Sequence, residues 1–308
     1  MEQLRRGDSD QITRDYFDSL LLEMRHIDSE KPDTSFSLFG ETFATPIMTA
    51  ALSHLNGVCE AGAVQMAQGA KMAGAVNWTG MGDEKELEEI TATGAKTIKI
   101  IKPYEDNGMI LDRIAHAREC GVLAVGMDVD HAFDRSGEYD VVMGWRMRPK
   151  TADEIRSFVE AAGIPFIVKG ILSVKDAYKC LMAGVSGIVV SHHHGIMDYA
   201  LPPLKILPHI VKAVGGKIPV FVDCGILGGT DAFKALALGA DGVCVGRVLM
   251  GPLCTDGASG VAKALLGMND ELRGVMARTG CGDLFHMDSA VVWQMPVSSP
   301  CSRSYNEL

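Results

Sequence analysis

Eight short apolar segments recur along the 308-residue chain, most of them followed by a stretch of helical period. That alternation restricts the fold more than any other feature. The segments fall at residues 46–50, 74–78, 97–101, 123–129, 165–170, 187–191, 220–225 and 243–246. Between them lie amphipathic stretches at 60–71, 84–91, 109–119, 151–161, 174–182, 204–214 and 230–238. Short runs of Val, Ile and Phe read as parallel strands buried on both faces, because strands exposed on one face alternate with polar residues. The reading is an α/β chain folded as a (β/α)8 TIM barrel. An open doubly wound sheet is the alternative, but it would more naturally stop near six strands. The spacing is too even for two separate domains. The chain divides into an N-terminal extension (1–40), the barrel (41–290) and a C-terminal tail (291–308). The extension is polar and irregular apart from an apolar stretch at 16–24, and is expected to pack against the bottom or side of the barrel. A helical region follows Gly251, with apolar turns at 261–266 and 271–276. The last ten residues are expected to be loose.

In a parallel barrel, polar residues at the C-terminal strand ends face one cavity. Here those positions carry Thr49 and Ala50, Asn77 to Thr79, Lys99, Asp128 and Asp130, Lys169, Ser191 to His194, Asp223, and Gly246 with Arg247. The last two strands each end in glycine, at Gly225 and Gly246. The helices after them are expected to offer free backbone N–H groups, with Arg247 alongside. Such a corner suits a phosphate, and so a phosphorylated cofactor or substrate.

Lys169 ends the run Phe166-Ile167-Val168. A lysine there can neutralise an anionic ring system or an enolate; a salt bridge to Asp128, Asp130 or Asp223 is the structural alternative. His192-His193-His194 resembles a metal tract, but successive side chains leaving a strand diverge, so no metal site is expected. One histidine over the cavity would serve as proton acceptor, oriented by Asp128 or Asp130. A satisfied, non-catalytic histidine is the alternative.

The formal net charge is −10 and no long basic run appears, which argues against a nucleic-acid surface. The eight cysteines form no CxxC pair. With no signal peptide or membrane-length apolar run, a reducing cytoplasm and no membrane association are expected.

Three motifs sharpen this reading: 165–172 around Lys169, 187–195 around the histidines, and 223–231 around Asp223. Together with Asp33-Thr34-Ser35, Pro46-Ile47, His54 and Gly239-Ala240-Asp241-Gly242-Val243, they resemble the FMN-dependent 2-hydroxy-acid dehydrogenase/oxidase family. That family includes glycolate oxidase, lactate oxidase and mandelate dehydrogenase. The resemblance spans roughly residues 15–284 and implies an FMN cofactor. It implies that His193 is the catalytic base, Asp130 its partner, and Lys169 the lysine near the flavin N1–O2 edge. Ser191 would contact the ring or ribityl region, Asp223 the ribityl chain, and Gly225, Gly246 and Arg247 the phosphate. Ala50 would line the ring, with Thr49, Lys99 and Asp128 on neighbouring cofactor-facing strand ends. A homo-oligomer, perhaps a tetramer, is also implied; the electron acceptor is unknown.

The chain departs from the family pattern on the substrate side. Where the family reads Asn-His-Gly-Gly-Arg-Gln-Leu-Asp, this chain reads His192-His193-His194-Gly195-Ile196-Met197-Asp198 and lacks the carboxylate-clamping arginine. A second arginine aligns with Ser136, beside Arg135; the family's Gln-Leu-Tyr is Lys99-Ile100-Ile101; its Thr-Val-Asp threonine is Asp128; its Arg-Arg pair is Leu227-Gly228. Arg135, His192 and His194 are the candidate substrate-binding groups. The expectation is an FMN oxidoreductase acting on a small organic substrate, an atypically bound 2-hydroxy acid or a neutral or cationic molecule, by histidine-assisted hydride transfer. The alternatives are a flavin-dependent isomerase or lyase without net redox change, and a non-catalytic FMN-binding protein.

Overall fold

The computed structural model describes residues 6–295. Its central sheet has eight strands: β1 (Ile47–Thr49), β2 (Asn77–Thr79), β3 (Thr97–Ile101), β4 (Ala124–Asp128), β5 (Phe166–Ile171), β6 (Gly187–Val190), β7 (Val220–Val222) and β8 (Gly242–Val245). Each pairs in parallel with its sequence neighbour from β2 through β8, and β8 pairs in parallel with β1. The Thr49 N–H donates to Val76 O at 3.2 Å, and a parallel bridge joins Leu52 to Thr79, so the seam between β1 and β2 is also stitched. The sheet is a (β/α)8 barrel.

Burial on both faces follows from the apolar runs. Met48, Trp78, Ile98, Ile167, Val189, Phe221 and Cys244 fill the interior. Trp78 meets Phe221 edge-on with ring centroids 5.6 Å apart. Ile47, Val125, Val168, Val190, Val222 and Val245 face outward into the layer of helices. Those helices are α2 (Gly62–Met72), α3 (Glu84–Ala92), α4 (Asn107–Glu119), α5 (Ala152–Ala162), α6 (Val174–Ala183), α7 (Pro203–Val214) and α8 (Gly229–Ala237), followed by a long α9 (Met250–Thr279) bent at Gly257. Local chemistry starts several of them: Thr151 and Glu154 form a reciprocal capping box on α5, and Ser173 caps α6. Among the described residues no helix is long and apolar enough to cross a membrane.

The N-terminal extension divides between the two ends of the barrel. A hairpin, Phe36–Leu38 paired with Glu41–Phe43, adds Phe36, Leu38 and Phe43 to the interior cluster. The stretch before it is not irregular. It begins with a helix, α1 (Ser9–Ser19), capped by Asp8, which accepts from the Asp10 and Gln11 N–H groups at 2.9 and 3.2 Å. That helix lies at the C-terminal strand ends, against the loops after β6 and β7. Its buried residues are Ser9, Thr13 and Phe17, an i, i+4 stripe in which two of the three are polar. Leu20–Leu22 then pairs antiparallel with Val292–Gln294, so the start of the C-terminal tail belongs to the fold. Residues 296–308, including the ten expected to be loose, lie outside those described.

Candidate active site

The C-terminal ends of β1, β5, β7 and β8, with the loop after β6, enclose a cavity of about 510 Å3. Ala50, Lys169, His193, His194, Asp223, Gly225, Gly246 and Arg247 all line it, together with Cys224 and Ile226.

At its inner end, the strand that buries Phe166 to Val168 delivers Lys169 into a ring of carboxylates. The Lys169 Nζ lies 3.4 Å from Asp128 Oδ1, 3.3 Å from Asp223 Oδ2 and 3.3 Å from Ser191 Oγ. Burial alone would push this ammonium down, but Asp128, Asp223 and Asp130 outweigh it and hold the pKa well above the ordinary value. Asp128 also takes Lys102 Nζ at 2.6 Å. Its burial opposes ionisation, yet Lys169, His193 and Lys102 together hold it well below the usual carboxylate range. Asp130 goes the other way, raised by burial and by the nearby Asp128. Gly170 makes room for Asp130: at φ 93° it adopts a backbone that side chains rarely take, and a Cβ there would fall 2.5 Å from the Asp130 carboxyl.

His193 turns out of its strand with φ 50°, in the left-handed region. Its Nδ1 faces Asp130 Oδ1 at 2.9 Å and Asp128 Oδ1 at 3.1 Å. Burial and Lys169 depress its pKa, but the two carboxylates prevail and raise it to about 9. Its Nε2 lies 3.1 Å from the Nε2 of His131, whose Nδ1 in turn lies 3.1 Å from Asp140 Oδ2. Asp128, His131 and His193 thus bring three ligand-type atoms within 4.8 Å. Lys102 and Lys169 already neutralise Asp128, so a cation there would face two ammoniums, and the arrangement suits proton transfer better than a metal.

The outer end holds Arg247 and His194. A single oxygen, Asp10 Oδ2 of α1, contacts both Arg247 (3.2 Å) and His194 Nδ1. One expectation is corrected here. The N-terminus of α8 is not free for a phosphate, because the Glu271 carboxylate of α9 accepts from the Gly229 N–H (2.7 Å), the Thr230 N–H (3.1 Å) and the Thr230 hydroxyl (2.6 Å). What stays open to the cavity is the pair of strand ends at Gly225 and Gly246, with Arg247. Gly225 has φ 83°, and a Cβ there would meet Phe17 and Thr13 at 2.8 Å.

Several residues read from the sequence lie elsewhere. Thr49 accepts from the Trp78 N–H at 2.8 Å and ties β1 to β2. Lys99 donates to Gly80 O at 2.6 Å, its pKa lowered by burial to about 8. Neither lines the cavity. His192 is buried against α1, its Nε2 2.7 Å from Thr13 Oγ1 and its Nδ1 accepting from the Gly195 N–H. Arg135 is exposed on the loop after β4. The sequence reading passed over His131, Lys102, Asp140 and Asp10. His131 had a signal, since it directly follows the acidic pair of Asp128-Val129-Asp130. Asp140 and Asp10 had none, because only the fold brings their loop and helix to the site.

The model of the family described as FMN-dependent dehydrogenase matches residues 3–154 and 146–294. Glycolate oxidase 3 of Arabidopsis thaliana is 30% identical over 89% of this chain and 84% of that protein. L-lactate oxidase of Lactobacillus jensenii is 30% identical over 84% of this chain and 72% of that protein. Among solved structures, a tyrosine-to-phenylalanine variant of mandelate oxidase with (S)-mandelic acid superposes with a TM-score of 0.86 at 28% identity, covering 94% of this chain and 91% of that one. An arginine-to-leucine variant of mandelate oxidase with 2-hydroxy-phenylacetamide gives 0.84 at 28% identity, with the same coverage.

Proposed function

The chain belongs to the FMN-dependent dehydrogenase family, and from that premise we propose that it oxidises a small hydroxy compound whose neighbouring group is neutral rather than a carboxylate. The observation that carries this reading is the pairing of charge in the cavity. Each cationic or basic side chain that lines it already has a carboxylate: Lys169 has Asp128 and Asp223, His193 has Asp130, and Arg247 and His194 share Asp10. Among the described residues that line the cavity, no arginine is left over to clamp a substrate carboxylate bidentately, and a lysine locked among acids does not replace one.

The residues fit FMN. The cavity has buried polar groups at one end, Lys169 and Asp223, with Ser191 against Lys169, and Arg247 with the His194 imidazole at the other. Lys169, Ser191 and Asp223 would hold the polar edge of the ring and the ribityl chain; Gly225, Gly246 and Arg247 would hold the phosphate. FMN, when bound, supplies the two-electron acceptor. The chain supplies a dry, charge-balanced wall and an imidazole pair to manage the hydroxyl proton.

Two outcomes are expected. Stopped-flow bleaching of the flavin should be faster with 2-hydroxy-2-phenylacetamide than with mandelate, the isosteric acid; faster reduction by mandelate would overturn the neutral-substrate reading. Arg247→Ala should weaken FMN by about 1.5–3 kcal/mol, roughly 10- to 150-fold, as expected for losing a charge-assisted hydrogen bond. Riboflavin, which lacks the phosphate, should bind the variant and the parent alike when followed by flavin fluorescence.

A further inference from the structure

Among the described residues that line the cavity, Lys169 is the only lysine, and two carboxylates stand directly against it. Its Nζ lies 3.4 Å from Asp128 Oδ1 and 3.3 Å from Asp223 Oδ2. The first of these contacts is built into the barrel. Lys169 of β5 and Asp128 of β4 are register partners in the parallel sheet, so their approach depends on no loop. Asp128 is 4% exposed, and its other oxygen, Oδ2, takes Lys102 Nζ at 2.6 Å. Lys169, His193 and Lys102 together keep this carboxylate ionised in spite of its burial. The family pattern carries a threonine at this position, which cannot hold a charge. A threonine would leave Lys169 with Asp223 as its direct carboxylate partner; the aspartate gives it two.

We propose that Asp128 is a positioning residue that sets the electron affinity of the bound FMN: acting through Lys169, it makes the flavin harder to reduce than the threonine of the family pattern would. This rests on the placement of FMN given above, with the polar edge of the ring at Lys169. Two-electron reduction adds negative charge to the N1–O2 edge of the ring. An unopposed ammonium at that edge favours the reduced form. An ammonium already balanced by two carboxylates favours it less, because each buried carboxylate repels the added charge through a medium of low dielectric. Lys102 does not cancel this, since it sits on the far oxygen of Asp128 while the near oxygen faces Lys169. The other charged groups around Lys169 are Asp130, in the turn after β4, and His193, whose Nδ1 is 3.3 Å away in the loop after β6. Asp130, His193 and Asp223 stand where the family pattern has them. Asp128 is the anion that this chain adds to the lysine. The result is a flavin that is a weaker acceptor when oxidised and a stronger donor when reduced, which biases the site toward readily oxidised substrates.

The midpoint potential of the FMN-loaded protein tests this, measured by equilibration with a reference dye during slow reductive titration. The parent is compared with Asp128→Thr, Lys102→Met, the double variant Asp128→Thr/Lys102→Met, and Asp223→Asn. Asp128→Thr should raise the midpoint, shifting the reduced-to-oxidised ratio at fixed potential roughly tenfold or more, which is about 30 mV for a two-electron couple. Lys102→Met should lower it, because the charge of Asp128 then bears on Lys169 undivided. A residue that only supported the barrel would not give shifts of opposite sign. The double variant leaves neither member of the pair alone in the interior, so it stays readable where a single variant unfolds; its midpoint should also lie above that of the parent. Midpoints at or below that of the parent in Asp128→Thr or the double variant overturn the proposal. Asp223→Asn removes the other carboxylate from Lys169 and separates the two readings. If it raises the midpoint while Asp128→Thr does not, the placement of FMN stands and the role of Asp128 fails. If neither moves the midpoint, the ring edge does not lie at Lys169, and the placement fails together with the proposal. No substrate takes part, so the failure of every hydroxy compound to bleach the flavin would sink the oxidation reading alone.

Discussion

His193→Ala is expected to leave FMN bound and to slow flavin reduction by roughly 10²–10⁴-fold, the usual scale for a positioned proton-handling group. Removing His193 deletes the imidazole that lines the cavity beside Asp130, together with its contact to His131. The backbone at residue 193 is left-handed, with φ 50°. His193→Asn is therefore the better companion variant, since asparagine tolerates that region more readily than alanine. Stopped-flow reduction by 2-hydroxy-2-phenylacetamide, at matched FMN occupancy, is the measurement. Full activity in both variants would show that the imidazole pair is structural. In that case Asp130, which has a raised pKa and a buried Oδ2 without a hydrogen-bond partner, becomes the next candidate.

Lys169→Met should cost about 3–5 kcal/mol of stability, the range for removing one partner of a buried ion pair, because it leaves Asp223 uncompensated while Asp128 keeps Lys102. Urea unfolding would report it. The side chain is 8% exposed and is the common partner of Asp128 and Asp223. The loss should depend on pH with a definite sign. Asp128 and Asp223 have depressed pKa values in the folded state, despite burial, chiefly because of Lys169. Their stabilisation is present above the ordinary carboxylate range and disappears as pH falls through the depressed values. Lys169→Met should flatten that acid dependence, so the gap between variant and parent narrows at low pH. His193 works in the opposite direction. Its pKa is raised to about 9, so its stabilisation is complete below pH 6.5 and is lost as pH rises through about 9. A Lys169→Met protein as stable as the parent at neutral pH would mean that the acids around it are protonated rather than paired.

The barrel was legible because its signal is local. Residues 97–101 were read as a strand from Thr-Ile-Lys-Ile-Ile, and β3 spans those same residues. Errors of a few residues fell where glycine blurs the strand start, as at Gly74, which forms a turn before β2 begins at Asn77. Lys169, His193, Asp223 and Arg247 were also legible, since a parallel barrel collects its strand ends at one mouth. Long-range partners were not. Nothing in the local sequence says that Glu271 will cap α8 or that Asp10 will reach Arg247. Each depends on how a helix distant in sequence is laid on the barrel. His192 was misplaced for a similar reason: its polar partner, Thr13, sits on a largely polar helix that is distant in sequence.

Asp10 has a further consequence. Arg247 and the His194 imidazole at the cavity mouth share an internal carboxylate donated by α1. On the proposed placement of the FMN phosphate, the phosphate would exchange with a carboxylate of the protein instead of displacing small ions from solution. The affinity of the corner is then the difference between two anions on the same pair of groups. Because one partner is tethered and screened little differently in the free and loaded states, that difference varies less with ionic strength than an open arginine site would.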